Sequence, residues 1–138
     1  MKKLLFAMAF ILALTTFPLP SFAAQPAADL IVCPESQPAQ MPGRLHAKVF
    51  DTAVNTGVSR AVKILQLSIN ELSQKTSIKV DGAIGPQTRR ALCGLSETKL
   101  LGIYARRQAD FYQGIAARKP SQKKFLKGWL RRAAWIPE

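Results

Sequence analysis

Apolar positions recur at three- and four-residue steps through most of this chain, the spacing of one face of an α-helix. Leu45, Val49, Phe50, Ala53 and Val54 form the first such stripe, and Asn55-Thr56-Gly57 stops it. A second stripe follows at once, with Ser59 as the expected N-cap and Ala61, Val62, Leu65, Ile69 and Leu72 facing inward. Helices joined so closely must fold back or cross sharply. Residues 77–86 break the period: Ile78 and Val80 alternate like a very short extended piece, and Asp81-Gly82 and Gly85-Pro86 are turn signals. Pro86 suits the first position of a third helix, since its missing N–H is not needed there. Ser96 then caps a long fourth helix with Leu100, Ile103, Tyr104, Phe111 and Ile115 as its stripe. Lys119-Pro120 ends it, and Ser121 starts a last helix that turns Phe125, Leu126, Trp129, Leu130 and Ala133 inward. The expectation is an all-α fold of about five helices with a short turn-rich loop around residues 77–86.

Ahead of this body the pattern changes twice. Met1-Lys2-Lys3, an uncharged apolar run from Leu4 to Leu14, Pro18 and Pro20, and Ser21-Phe22-Ala23 make the three parts of a secretory signal. Cleavage is placed after Ala23. The run is shorter than the roughly 20 residues a spanning helix needs, so no stable membrane anchor is expected. Residues 24–43 carry Pro26, Pro34, Pro38 and Pro42 and read as an extended leader. The division is therefore 1–23 signal, 24–43 leader and 44–138 helical domain, with a periplasmic or secreted destination.

Export changes the meaning of the charge. The chain has 20 Lys and Arg against 8 Asp and Glu, a formal +12, which falls to about +10 without Lys2 and Lys3. In the cytoplasm such a balance would suggest nucleic acid. Outside it, the abundant anions are lipid headgroups, wall phosphates and the carboxylates of peptidoglycan stem peptides, so no nucleic-acid partner is expected. The two cysteines, Cys33 and Cys93, are expected to form a disulfide in an oxidising compartment, tying the leader to the end of a helix. One histidine, His46, and no Cys-x-x-Cys leave no metal-ligand pattern, and no cofactor is implied.

Three stretches carry a family resemblance: 49–57 (Val-Phe-Asp-Thr-Ala-Val-Asn-Thr-Gly), 60–66 (Arg-Ala-Val-Lys-Ile-Leu-Gln) and 80–88 (Val-Asp-Gly-Ala-Ile-Gly-Pro-Gln-Thr). With Arg106-Arg107, Phe111-Tyr112 and 125–132 (Phe-Leu-Lys-Gly-Trp-Leu-Arg-Arg), this ordered set resembles the predicted peptidoglycan-binding domain of the secretion-activator proteins, muramidases of glycoside hydrolase family 108. The resemblance covers about residues 45 to 133. It implies the helical lobe of a lysozyme-like fold and an association with the cell wall. Full-length members also carry a Glu-Gly-Gly motif whose glutamate is the expected general acid, and this sequence contains no Glu-Gly-Gly. The family's activity is accordingly not carried over.

Glycoside hydrolysis needs two carboxylates about the bond, one kept protonated. Asp29, Glu35, Asp51, Glu71, Asp81, Glu97, Asp110 and Glu138 are the candidates outside the signal. Asp51 could face a cleft, but a surface or capping role is the ordinary reading, and Asp81 is first a turn residue. No catalytic residue is assigned. Binding chemistry falls into two clusters. Asp81 and Gly82 sit in the turn with Arg89 and Arg90 behind it, where exposed amides and guanidinium groups could receive an anion. Tyr104 and Trp135 lie with Arg107 among the aromatic and basic residues of the last helices, and Asn55 would line the groove of a lysozyme-like cleft. The expected function is an exported, non-catalytic, peptidoglycan-associated protein that binds glycan or stem peptide. The alternatives are a muramidase with an unrecognised acid and a protein-interaction module, partner to a secretion-system protein or a muramidase.

Overall fold

The structure is a computed structural model that describes residues 29–31, 33, 41–73 and 77–138. The signal expected at 1–23, most of the expected leader and Glu35 lie outside the described residues. Five α-helices follow in order: α1 (Gly43–Thr56), α2 (Val58–Leu72), α3 (Pro86–Leu92), α4 (Glu97–Arg118) and α5 (Leu126–Ala134), with a 3₁₀ segment, Pro120–Phe125, leading into α5. The class is all-α, and the described residues include no strand. Ile78 and Val80 belong to a loop. Among the described residues, the one strand-like pairing is an antiparallel bridge between Leu30 and Ser96. No helix among the described residues is long and apolar enough to cross a membrane.

One residue joins α1 to α2. Gly57 has φ 87° and ψ 149°, a region open to glycine and strained for residues with a Cβ. This is extended rather than left-handed helical, so the chain turns without continuing the coil. Gly57 N–H still donates to the Ala53 carbonyl at 2.9 Å, and Ala61 N–H donates back to the Gly57 carbonyl at 3.1 Å. Gly57 thus occupies the capping position of both helices. Ser59, the expected cap, lies within the first turn of α2.

Helix α2 is the centre of the molecule. Ala61, Val62, Ile64, Leu65, Gln66, Ser68 and Ile69 are all buried, so most of its circumference is covered. Helices α1, α3 and α4 pack on it, and Leu45, Leu92, Leu100, Leu101 and Tyr104 complete the core. Removing each such leucine from water contributes about 1.5–3 kcal/mol. The inner face of α1 is half polar: Leu45, Lys48, Val49 and Thr52 are buried. Phe50 and Val54, expected inside, are 63% and 70% exposed. Polar Lys48 and Thr52 take the inward positions because they find acceptors there, Lys48 at the end of α5 and Thr52 on the Lys48 carbonyl of its own helix. The α4 stripe is rotated likewise. Leu100, Tyr104, Gln108, Tyr112 and Ala116 are inside, while Ile103, Phe111 and Ile115 are half-buried at its edges.

The turn-rich loop is bound to α2 by two amide side chains one turn apart. Asn70 donates to the Ile78 carbonyl and accepts from Ile78 N–H, both at 2.8 Å. Gln66 accepts from Gly82 N–H at 2.8 Å and donates to Asp81 Oδ1 at 2.8 Å and to the Ala83 carbonyl at 3.0 Å. The segment before α1 is fastened at the junction of α3 and α4. Cys33 and Cys93 form a disulfide, and Ile31 exchanges backbone hydrogen bonds with Gly94 and Leu95.

Candidate functional site

Helix α5 is short, basic and laid against α4 and its own 3₁₀ lead-in. Its C-terminal carbonyls have no intrahelical partners, the ordinary condition of a helix end. Lys48 supplies them from α1. Its Nζ donates to the carbonyls of Arg132 (3.1 Å), Ala133 (2.8 Å) and Trp135 (2.5 Å). A buried ammonium is costly unless its donors are used; here all three are used, at the negative end of a helix. Burial nonetheless draws Lys48 down to about 8, with the neighbouring Asp51 opposing the shift and Arg132 adding to it. The same ammonium lies 5.7 Å from the ring centroid of Trp135, so the chain past α5 is held with one indole face over a cation.

Between α1 and α5 this packing leaves a groove of two adjoining bays. One, of about 400 Å³, is lined by Asp51, Gly128, Arg131, Arg132 and Trp135. The other, of about 410 Å³, is lined by Asn55, Lys124, Phe125, Gly128, Trp129 and Arg132. Gly128 and Arg132 belong to both. A Cβ at Gly128 would meet nothing within 4 Å, so the missing side chain is what keeps the middle of the groove open. Arg132 reaches across it to Asp51 Oδ1 at 2.7 Å, while Asp51 Oδ2 is shielded and has no hydrogen-bond partner. The aromatic wall is ordered in layers. Trp129 stacks on buried Tyr112 with ring centroids 5.3 Å apart, and Phe125 packs 5.9 Å from Trp129. Trp135, 47% exposed, closes the far end.

The expected site residues separate. Asn55 and Trp135 come together in this groove. Arg107 lies in a different cleft, between α2 and α4, and its Nη2 is paired with Glu71 at 2.6 Å. Asp81 is occupied by the loop's own structure: the Gln66 amide, with the Ala83 N–H, holds its carboxyl below the usual carboxylate range. Gly82 is pressed against α2, where an added Cβ would stand 2.5 Å from Ser59 Oγ. Arg89 is half-buried and Arg90 exposed on α3, and neither lines these clefts. Tyr104 does not face a ligand. It is fully buried, its hydroxyl donates to the Ala61 carbonyl at 3.3 Å, and burial raises its phenol well above the usual range. Trp129 and Phe125, expected in the core, form part of the groove wall: Phe125 is exposed and Trp129 half-buried.

Lys48, Gln66 and Gly128 carry the architecture, and sequence reasoning misses them as site residues; Arg132 belongs to the basic cluster of the last helices that the sequence already offers. A signal exists for Lys48 and Gln66: each falls within the inward stripe of its own helix. Among the described residues, no group of His, Cys, Asp and Glu could hold a metal ion.

Neither a curated protein nor a solved structure matches the chain. The family model described as the predicted peptidoglycan domain matches residues 60–134, which run from the first turn of α2 to the last residue of α5. This match takes in more than half of the sequence and supports a peptidoglycan-associated function; the chain belongs to the predicted peptidoglycan domain family.

Proposed function

We propose that the protein is an exported, non-catalytic module that holds peptidoglycan, with the α1–α5 groove taking the glycan strand. The observation that carries this reading is the make-up of the groove. Aromatic side chains, Phe125, Trp129 and Trp135, line an open trough together with the polar groups of Asn55, Arg131 and Arg132. Sugar rings offer apolar C–H faces to aromatic side chains and hydroxyls to polar ones, and acetyl and lactyl carbonyls suit guanidinium donors. The non-catalytic part rests on the acids. Asp51 is the single carboxylate among the described groove residues, and it is ion-paired to Arg132, whereas glycosidases set two carboxylates about the bond. Export rests on the signal read at 1–23, with 24–43 as leader and 44–138 as the wall-facing body. Kinship with the secretion-activator muramidases rests on the ordered motifs, without their Glu-Gly-Gly acid.

Purified sacculi test this reading. The mature chain is expected to be retained at low salt, and Trp135→Ala and Gly128→Leu to lower retention at least about tenfold, the scale of losing a central aromatic contact. A Cβ at 128 meets nothing within 4 Å and leucine favours the helix over glycine; an unchanged helical circular-dichroism melt of Gly128→Leu would separate its loss of binding from unfolding. Equal retention of all three proteins, or none of the parent, would defeat the proposal.

A second reading, a protein-interaction module, is favoured by one observation. Phe50, Val54 and Val58 are 63%, 70% and 69% exposed and follow one another at four-residue steps across the α1–α2 joint. Co-purification of an envelope protein, lost in Phe50→Ser while sacculus retention persists, would support it.

A further inference from the structure

A second cleft, of about 390 Å³, opens on another side of the molecule, between α2, α4 and the 77–85 loop. Its floor is apolar, made by Ile64, Leu67 and Val80. Val80 is there because Gln66 and Asn70 bind the loop down onto α2 on either side of it. Around the floor stand Arg60, Lys63 and Arg107. Arg60 is stacked on Phe111, its guanidinium carbon 4.9 Å from the ring centroid, which fixes the direction of its N–H edge. Neither Arg60 nor Lys63 has an ion-pair partner among the described residues. Arg107 is paired with Glu71 through Nη2, but its Nε–H is buried and has no acceptor. Asp110, on the rim, is mostly exposed and lies 3.9 Å from Arg106.

We propose that this cleft is a binding site for the free C-terminal carboxylate of a short alanine-ended peptide, as carried by peptidoglycan stems. Arg60 and Lys63 carry no ion pair among the described residues, Arg107 is balanced by Glu71, and Asp110 is the one carboxylate of the lining, so the cleft complements an anion. The apolar floor accommodates methyl side chains and disfavours a bare, fully hydrated ion. The carboxylate would meet Arg60 and Lys63, while Asp110 would accept a peptide N–H. Charge-assisted bonds of this kind are the strong ones, and the planar fork of arginine suits a carboxylate. The volume is within the range of small-ligand sites. The choice of a stem peptide rests on the wall-binding reading above; the preference for an acid over its amide does not.

The test is titration of the isotope-labelled full chain with acetyl-D-Ala-D-Ala, followed by nuclear magnetic resonance. Amide shifts are expected at Leu67, Val80 and Phe111. The C-terminal amide of the same dipeptide should bind at least about tenfold more weakly. The double variant Arg60→Gln, Lys63→Gln, both exposed residues, should lose a similar factor, and Trp135→Ala should lose nothing. Should that double variant fail to fold, the comparison of acid with amide on the parent chain decides alone. Equal affinity for acid and amide, shifts confined to other surfaces, or inorganic phosphate binding as well as the dipeptide would each overturn the proposal. Sacculi retained by a chain that ignores the dipeptide would remove this site and leave the glycan groove standing. Dipeptide binding without sacculus retention would do the reverse.

Discussion

Lys48 is the residue on which the groove depends. Its ammonium satisfies three carbonyls at the end of α5 and supports one face of Trp135. Lys48→Met fills similar space but leaves those acceptors bare, so a loss of about 2–4 kcal/mol of unfolding free energy is expected, read by urea denaturation. The pH dependence of that loss has a definite sign. Folding lowers the lysine from 10.5 to about 8. Across that interval the unfolded chain holds more protons than the folded one, so the contribution of Lys48 rises with pH. The gap between parent and Lys48→Met is therefore expected to be wider at about pH 10 than at about pH 7; a gap that narrows would contradict this account. Gly82 is a second decisive residue. Its φ is 84°, and a methyl group added there would stand 2.5 Å from Ser59 Oγ. Gly82→Ala is expected to cost about 1–3 kcal/mol in a thermal melt. Ser59→Ala should not rescue it fully, because the Ser59 carbonyl stands at 2.9 Å.

The helices are held at their ends by one another. Glu97 of α4 accepts from Leu45 N–H at the start of α1, at 3.1 Å. Asp29 accepts from Thr98 N–H at the start of α4, at 3.0 Å, and from the Ser96 hydroxyl. Lys48 of α1 closes the end of α5. Each contact puts the favourable charge on the helix terminus, and each joins segments distant in sequence. The Cys33–Cys93 bridge joins residues 60 apart in sequence and holds the segment bearing Asp29 beside α4. Reduction, or Cys33→Ser with Cys93→Ser, is expected to lower stability by about 2–4 kcal/mol, measured by denaturant melts with and without reductant. An unchanged midpoint would mean that the backbone pairing of Ile31 suffices to keep this segment in place.

At the scale of the whole molecule, 20 Lys and Arg stand against 8 Asp and Glu, a formal +12, or about +10 without Lys2 and Lys3. Stem-peptide carboxylates and wall phosphates would be drawn in over a distance set by salt. Raising salt from about 0.1 M to about 1 M shortens the screening length from about 10 Å to about 3 Å. Sacculus retention is expected to fall severalfold over that range yet persist through the aromatic contacts. Complete indifference to salt would show that the net charge plays no part. The groove and the cleft lie on different helix pairs, α1 with α5 and α2 with α4, so the two ligand chemistries need not compete.

Element positions were legible in the sequence because helix periodicity, Pro86, Ser96 and Gly57 act locally: each alters the backbone within a turn of itself. The disulfide followed equally from counting two cysteines. Which face turned inward was less legible for α1 and α4. Lys48, Thr52 and Gln108 are polar residues at core positions; Lys48 and Thr52 find backbone acceptors there, and Gln108 reaches the Tyr112 hydroxyl through its amide nitrogen. Tyr104 and Trp135 show the same limit at the site. Both are amphipathic aromatics near arginines, yet one is sealed beneath Ala61 and the other stands at a groove mouth. Local order was thus determined by the sequence alone, whereas the partners of each polar side chain, and with them both clefts, were decided by tertiary packing, because hydrogen bonds between distant segments leave no periodic trace along the chain.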